Sequence, residues 1–320
     1  MFFLNGTVIV PPKFILLGIP GLQEVYFWIA VPLCSLYLAT LLGNGLVLFL
    51  IITVKTFYRP MYILLAMLLV TDLVSSTSTV PKLLSILWFN INEITVEACL
   101  IQMFFLYSFS AMRSAVLVAM AFDRYIAICN PLRYTSIFSN KVLAEIGLII
   151  VARGIVLVLP IPFLVQRLTF CKTNMISHSY CDHMAVAKLA CADIRINKLY
   201  GLAVGFFVTV FDLVCITLSY FLIFRAVLRL HSKEAYLKAF NTCAAHICVI
   251  LIVYTLFLFS VLTQRFGQNV PLHVHILLAN FYLLVAPMLN PIVYGVKMKE
   301  IRDGIHKILF KRKVHSKSSS

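Results

Sequence analysis

Apolar residues run through this chain in stretches of twenty or more, broken by short clusters of basic residues, proline and asparagine. A helix needs about 20 such residues to cross the hydrocarbon of a bilayer. Seven stretches are long enough: Tyr26–Ile52, Pro60–Trp88, Ala98–Cys129, Val142–Phe163, Leu199–Leu228, Leu237–Gln264 and Leu272–Val296. The connections between them are short, the longest being Leu164–Lys198, and no internal repeat of the kind found in transporters is visible. The pattern predicts an all-α membrane protein, a seven-helix bundle. Residues 1–24 form an outer N-terminus, 25–296 the membrane domain and 297–320 a cytoplasmic helix and tail. From Lys297 to Phe310 apolar and basic residues alternate at helical spacing, so a short amphipathic helix against inner-leaflet lipids should follow span 7. Ser316–Ser320 reads as disordered.

Composition supports this reading. Of 320 residues, 62% are hydrophobic and 12% charged, too few polar groups to surface a water-soluble fold. The net charge of +15 suggests a nucleic-acid partner until the cations are placed. Most lie beside span ends: Lys55, Arg59, Arg124, Arg133, Lys141, Arg225, Arg229, Lys233, Lys238 and the basic tail on one side, and fewer on the other. This bias sets orientation, with the N-terminus outside and the C-terminus inside, and no nucleic acid is required. Asn5-Gly6-Thr7, the glycosylation sequon, then faces the lumen, so Asn5 is the expected glycan site. Asn5, Gly6, Pro11 and Pro12 break the first apolar run, so no cleavable signal is expected and span 1 acts as signal anchor.

Of the nine cysteines, Cys99, Cys171, Cys181 and Cys191 face the oxidising exterior and imply two disulfides, with three pairings open. Zincin, nucleophile-elbow and phosphate-loop patterns are all missing, so neither catalysis nor a cofactor is expected. His273 and His275, two residues apart without further ligands, do not suggest a metal site. A small-solute transporter is the alternative function.

Charges inside a span are costly and mark function. They are few: Asp72, Arg113, the Asp123–Arg124 pair, Arg153 and Asp212. The segment Met120-Ala-Phe-Asp-Arg-Tyr-Ile-Ala-Ile-Cys-Asn-Pro-Leu-Arg-Tyr134 resembles the third-helix signature of vertebrate olfactory receptors. Gly43-Asn44-Gly45, Pro60-Met61-Tyr62, Ser219-Tyr220, Lys238-Ala-Phe-Asn-Thr-Cys243 with His246, and Pro287-Met-Leu-Asn-Pro-Ile-Val-Tyr294 match the same family in register. Gly18-Ile-Pro-Gly21 is similar to the class I, fish-like branch, whose members often respond to carboxylic acids.

The resemblance implies several properties. The protein would be a rhodopsin-like receptor in the plasma membrane of olfactory cilia, coupled to a stimulatory G protein that raises cAMP. Disulfides would pair Cys99 with Cys181 and Cys171 with Cys191. Asp123, Arg124, Tyr125, Tyr220, Lys238, His246, Asn290, Pro291 and Tyr294 would form the coupling switch.

Two features are particular to this chain. Many receptors that resemble it carry glutamate where Arg113 stands, so the local charge is reversed. Arg113 and Arg124 are eleven residues apart, which returns to the same helix face within about 20°, so Arg113 points inward with Asp72 as its natural partner. A guanidinium there takes the place that a sodium ion would fill between two carboxylates, so no sodium site is expected. The second feature is a face of span 6, where Tyr254, Leu258, Val261 and Arg265 step by 4, 3 and 4 residues, an apolar stripe ending in a cation. It suits a small ligand with a hydrocarbon tail and an anionic head, a medium-chain fatty acid. Opposite walls are expected from Tyr107, Ser110, His183, Met184, Gly201, Gly205 and Phe206.

Overall fold

The computed structural model describes residues 13–170, 173–229, 233–266 and 270–317, with side chains described outside 233–242, 260–266 and 309–317. Asn5 and Cys171 therefore lie outside the described residues, and the side chains of Lys238, Val261 and Arg265 lie outside the described set. In chain order the helices are α1 Tyr26–Thr53, α2 Pro60–Phe89, α3 Val96–Cys129, α4 Tyr134–Ile137, α5 Asn140–Val158 and α6 Pro160–Gln166. They continue with α7 His183–Ala187, α8 Arg195–Val227, α9 Lys233–Phe266, α10 Leu272–Lys297 and α11 Lys299–Lys317. Among the described residues six helical stretches are long and apolar enough to cross a membrane, and Cys243–Phe259 within α9 supplies the shorter seventh.

Local chemistry sets the helix ends. Pro60 opens α2 at a position where its missing N–H costs nothing, and Asn90, in the left-handed conformation at φ 55°, closes it. The Thr95 hydroxyl accepts from Ala98 N–H at 3.2 Å to cap α3, and Ser139 does the same for α5 from Val142. Span 4 crosses as one stretch, Asn140–Gln166, with a local interruption between α5 and α6: Pro160 has no N–H to continue the ladder, while Leu159 stays helical.

The outer end carries a structure not anticipated from the hydrophobic pattern. Lys13–Leu16 (β1) lies between Glu93–Thr95 (β2, antiparallel) and Met175–Ile176 (β3, parallel). Phe14, Leu16 and Ile19 are fully buried beneath this small sheet. Gly18 makes the turn that follows at φ +68°, and a Cβ there would sit 2.7 Å from the Tyr26 hydroxyl. That hydroxyl accepts from Ile19 N–H at 2.9 Å, tying the N-terminal segment to α1. A Cys99–Cys181 disulfide fastens the outer loop to α3, and Cys191 is also disulfide-bonded.

α3 runs through the middle of the bundle, packing on α2, α5, α6, α8 and α9. α1 and α10 pack together through a device legible in their sequences. Pro291 cannot donate to the Pro287 carbonyl, and no water reaches the hydrocarbon to do so. The Asn44 amide donates to that carbonyl at 2.9 Å. Gly43, one residue earlier, leaves room for the Pro291 ring, which an added Cβ would meet at 2.9 Å. At the inner end α11 docks through fully buried Ile301, and Gly304 lets its backbone approach Leu50.

Asn44→Ala strands the Pro287 carbonyl, a loss of about 1–3 kcal/mol. The purified variant is expected to melt a few degrees below wild type. Thr53→Ala, which removes only an exposed bond to Phe49 at the end of α1, should melt as wild type does.

Candidate functional site

Four groups of polar side chains stack along the bundle from outside to inside. The outermost joins the long outer loop to α3. Tyr107 donates to Asp182 Oδ2 at 2.8 Å, and His183 N–H donates to the Tyr107 oxygen at 3.2 Å. Asp182 also caps α7, its Oδ1 accepting from Ala185 N–H at 2.8 Å. The His183 ring packs on Gly201, where an added Cβ would lie 2.8 Å from Nδ1. His183 is buried, its Nε2 has no hydrogen-bond partner, and desolvation lowers its pKa against the opposing pull of Asp182. His178, also buried in this loop, is lowered by the same cause.

The other residues expected to line a ligand space divide. Met184 and Ser110 are half-buried, and the Ser110 hydroxyl bonds its own helix at Leu106 O, 2.7 Å away. Gly201 and Gly205 lie within about 20° of the Asp212 face of α8, eleven and seven residues away respectively. Gly205 is exposed, with no described heavy atom within 4 Å of where a Cβ would be. On α9, Tyr254 is buried whereas Leu258, one turn further out on the same face, is 41% exposed. Gly205 and Leu258 thus lie on the same helix faces as buried Asp212 and Tyr254, where the ligand space is expected, and are themselves exposed. Phe206 requires correction: six residues from Asp212 place it about 120° around the helix, and it is 66% exposed on the outside of the bundle, not in its interior.

Below this space lies a group that the sequence reading did not assemble. Asp212 Oδ2 accepts from Ser114 Oγ at 2.5 Å and from Arg153 Nη2 at 3.0 Å, while Oδ1 lies 2.8 Å from Arg153 Nη1. The Tyr254 hydroxyl is 2.8 Å from Ser114 Oγ. One carboxylate therefore links α3, α5, α8 and α9. Arg153 and Asp212 both stood out as in-span charges of opposite sign on consecutive spans, which is the signal that would have paired them.

One residue before Ser114, Arg113 enters the third group. Its Nε lies 3.2 Å from Asp72 Oδ1, and its Nη2 donates to Ser75 Oγ at 2.6 Å. The amide of Asn290 donates to Asp72 Oδ2 at 2.6 Å. α2, α3 and α10 meet here.

The innermost group surrounds Arg124. Its Nε lies 3.7 Å from Asp123 Oδ2, and Tyr134 donates to Asp123 Oδ1 at 2.7 Å. Burial and the neighbouring carboxylate push the Tyr134 pKa up, so its hydroxyl keeps the proton it donates. The Tyr220 hydroxyl sits 2.7 Å from His246 Nδ1, joining α8 to α9. Tyr294 rests on the Met120 sulfur, and Tyr125 packs with Ile223, Val227 and Cys243. Neither tyrosine hydroxyl bonds Arg124 in this conformation.

Seven membrane helices with a cationic side chain held at the inner end of the third, and a proline-bent seventh helix hydrogen-bonded to the second, make this a rhodopsin-like G-protein-coupled receptor. The backbone has the same fold as squid rhodopsin, which superposes with a TM-score of 0.72 over 98% of this chain and 92% of its own, at 17% identity. Residues 33–312 match the olfactory receptor family model. Human olfactory receptor 52P1 is 53% identical over 95% of both chains, and human olfactory receptor 52N1 is 48% identical over 99% of both. The chain belongs to the olfactory receptor family. It is a multi-pass signalling receptor for small molecules that acts through a G protein, neither an enzyme nor a transporter.

Two outcomes follow from the geometry. Removing one partner of the Arg153–Asp212 pair leaves a charge without its partner in the membrane, so Arg153→Ala should lower stability by about 3–5 kcal/mol. The double change Arg153→Met with Asp212→Leu should lie much closer to wild type in thermal unfolding of purified protein. His178 and His183 have folded-state pKa values below the ordinary 6.5. The unfolded chain therefore binds more protons as pH falls, and stability is full above about pH 6.5 and declines below it. Melting temperatures should be level from about pH 7 to 8 and fall toward pH 5, with a shallower fall in His183→Asn.

Proposed function

We propose that this receptor detects medium-chain carboxylic acids in the outer half of the bundle, between α3, α8 and α9, and signals through a stimulatory G protein that raises cAMP. The observation that carries the reading is the face of α9. Tyr254, Leu258, Val261 and Arg265 follow one another along it at spacings of 4, 3 and 4 residues, an apolar sequence ending in a cation, with Tyr254 buried and Leu258 exposed. The hydrocarbon tail lies along the stripe and the carboxylate meets Arg265, a fork-shaped donor suited to it. Asn5 carries a glycan, and the receptor resides in the ciliary membrane of olfactory neurons.

The mechanism runs down α9. Tyr254 is both the floor of the ligand space and a partner of Ser114 in the Asp212 group. A ligand that draws the outer end of α9 inward displaces Tyr254 from Ser114 and pivots the inner end outward. The Tyr220–His246 bond, which holds α8 and α9 together at the inner side, must then break. Tyr220, Tyr294 and Arg124 regroup, and the space vacated beneath Arg124 admits a G-protein segment.

Cells expressing the receptor should be challenged with straight-chain acids of increasing length and the matching alcohols, beside Arg265→Ala. Each methylene buried contributes about 0.8 kcal/mol, so potency should rise about fourfold per carbon until the space is full. cAMP responses should be selective for acids and lost in Arg265→Ala. Equal responses in the mutant, or silence to every acid at normal surface expression, would sink the carboxylate reading.

A further inference from the structure

A carboxylate sealed inside a membrane protein needs a countercharge. It can take a proton, a mobile cation from solution or a cation built into the chain. The first two exchange with the bath and make the site sensitive to it, whereas the third does not. Asp72 is fully buried, and Arg113 beside it is 1% exposed. The two carboxylate oxygens are divided between helices: Oδ1 faces the Arg113 guanidinium of α3 at 3.2 Å, and Oδ2 accepts from Asn290 of α10 at 2.6 Å. The guanidinium is in turn fixed by Ser75 on α2, 2.6 Å from Nη2.

We propose that Arg113 is a tethered counter-ion that makes the Asp72 site independent of external sodium and holds α2, α3 and α10 in the resting, Arg124-paired arrangement. Two placements give it control over signalling. Asn290 immediately precedes Pro291, inside α10, so rotation of the inner end of that helix must carry Asn290 away from Asp72. With the guanidinium in place the carboxylate keeps its charge and so its full strength as acceptor for Asn290. Arg113 also immediately precedes Ser114, the residue of α3 bonded to Asp212 and near Tyr254. A turn of α3 that frees Ser114 therefore drags the guanidinium across Asp72, so the outer and inner groups change together.

The test uses sodium and needs no agonist, so its failure is distinguishable from failure of the carboxylate reading. Full-length receptor purified into nanodiscs is melted in sodium chloride and in potassium chloride at equal ionic strength. Basal cAMP is measured in cells at matched surface expression. Wild type should melt within about 1 °C in the two salts. Arg113→Ser, which removes the cation and leaves space beside the carboxylate, should melt several degrees higher in sodium than in potassium and raise basal cAMP severalfold. Wild-type stability that rises with sodium overturns the proposal, as does unchanged basal cAMP in Arg113→Ser. If Arg113→Ser does not fold, Arg113→Lys decides in its place. That variant keeps the charge and loses the fork, so it should stay sodium-independent with basal cAMP above wild type, and a sodium-dependent melt or wild-type basal signalling overturns the proposal.

Discussion

Asp72, Asp123 and Asp212 lie inside a bundle that lipid surrounds, and an arginine stands beside each: Arg113, Arg124 and Arg153. Hydrocarbon offers no water to share the charge, so each buried carboxylate keeps an arginine beside it. Two of the three pairs cross between helices, α2 to α3 and α5 to α8, and so decide which helix faces meet. The third, between consecutive residues of α3, leaves Arg124 on the inner side with a hold of 3.7 Å, looser than the 2.8 Å of Arg153 on Asp212. A switch needs one contact that can be given up, and the longest of the three pairs lies at the end where the G protein binds.

Neutral groups follow the same constraint. The Pro287 carbonyl, freed by Pro291, is met by Asn44, and Gly43 clears the way for the proline ring. The outer loop is buried at residues 178–181, and α3 satisfies the backbone N–H of Cys181. Gln102 Oε1 accepts from Cys181 N–H at 2.9 Å, while its amide donates to Ser78 O on α2 at 2.8 Å. Ser179 and Asn280 bond each other between this loop and α10. The loop that roofs the proposed ligand space is thus bonded to α3 and α10, and through Gln102 to α2.

The seven spans, the orientation, the helix after span 7 and the inward direction of Arg113 were legible in the sequence, because each depends on spacing along one helix or on the distribution of charge. What spacing cannot give is which inward face of one helix meets which of another. Arg153 and Asp212 were both visible as in-span charges, yet the contact depends on how α5 and α8 are rotated against each other. Phe206 was misplaced for a related reason: it adjoins Gly205 in sequence, but one residue is 100° of helix, enough to turn a wall of the interior into a surface facing lipid. β1 escaped because Lys13–Leu16 is too short to show a strand period and finds both partners in distant loops. The interruption at Leu159 was legible in Pro160: a proline inside an apolar run signals either an interruption or an end, and here the span continues into α6.

In the proposed switch, Arg113 and Ser114 together let a seven-helix bundle transmit. A helix that rolls by a few tens of degrees moves both side chains, and their partners lie on different helices: α2 and, through Asp72, α10 for the first, α8 and α9 for the second. Neither group extends the length of the bundle, and among the described residues no continuous chain of hydrogen bonds joins them. The connection is the peptide bond between two residues, which is stiffer than any side-chain contact. A disturbance at Tyr254 therefore need not pass through a wire of successive contacts to reach Asn290. It has only to change which rotation of α3 satisfies two buried carboxylates at once.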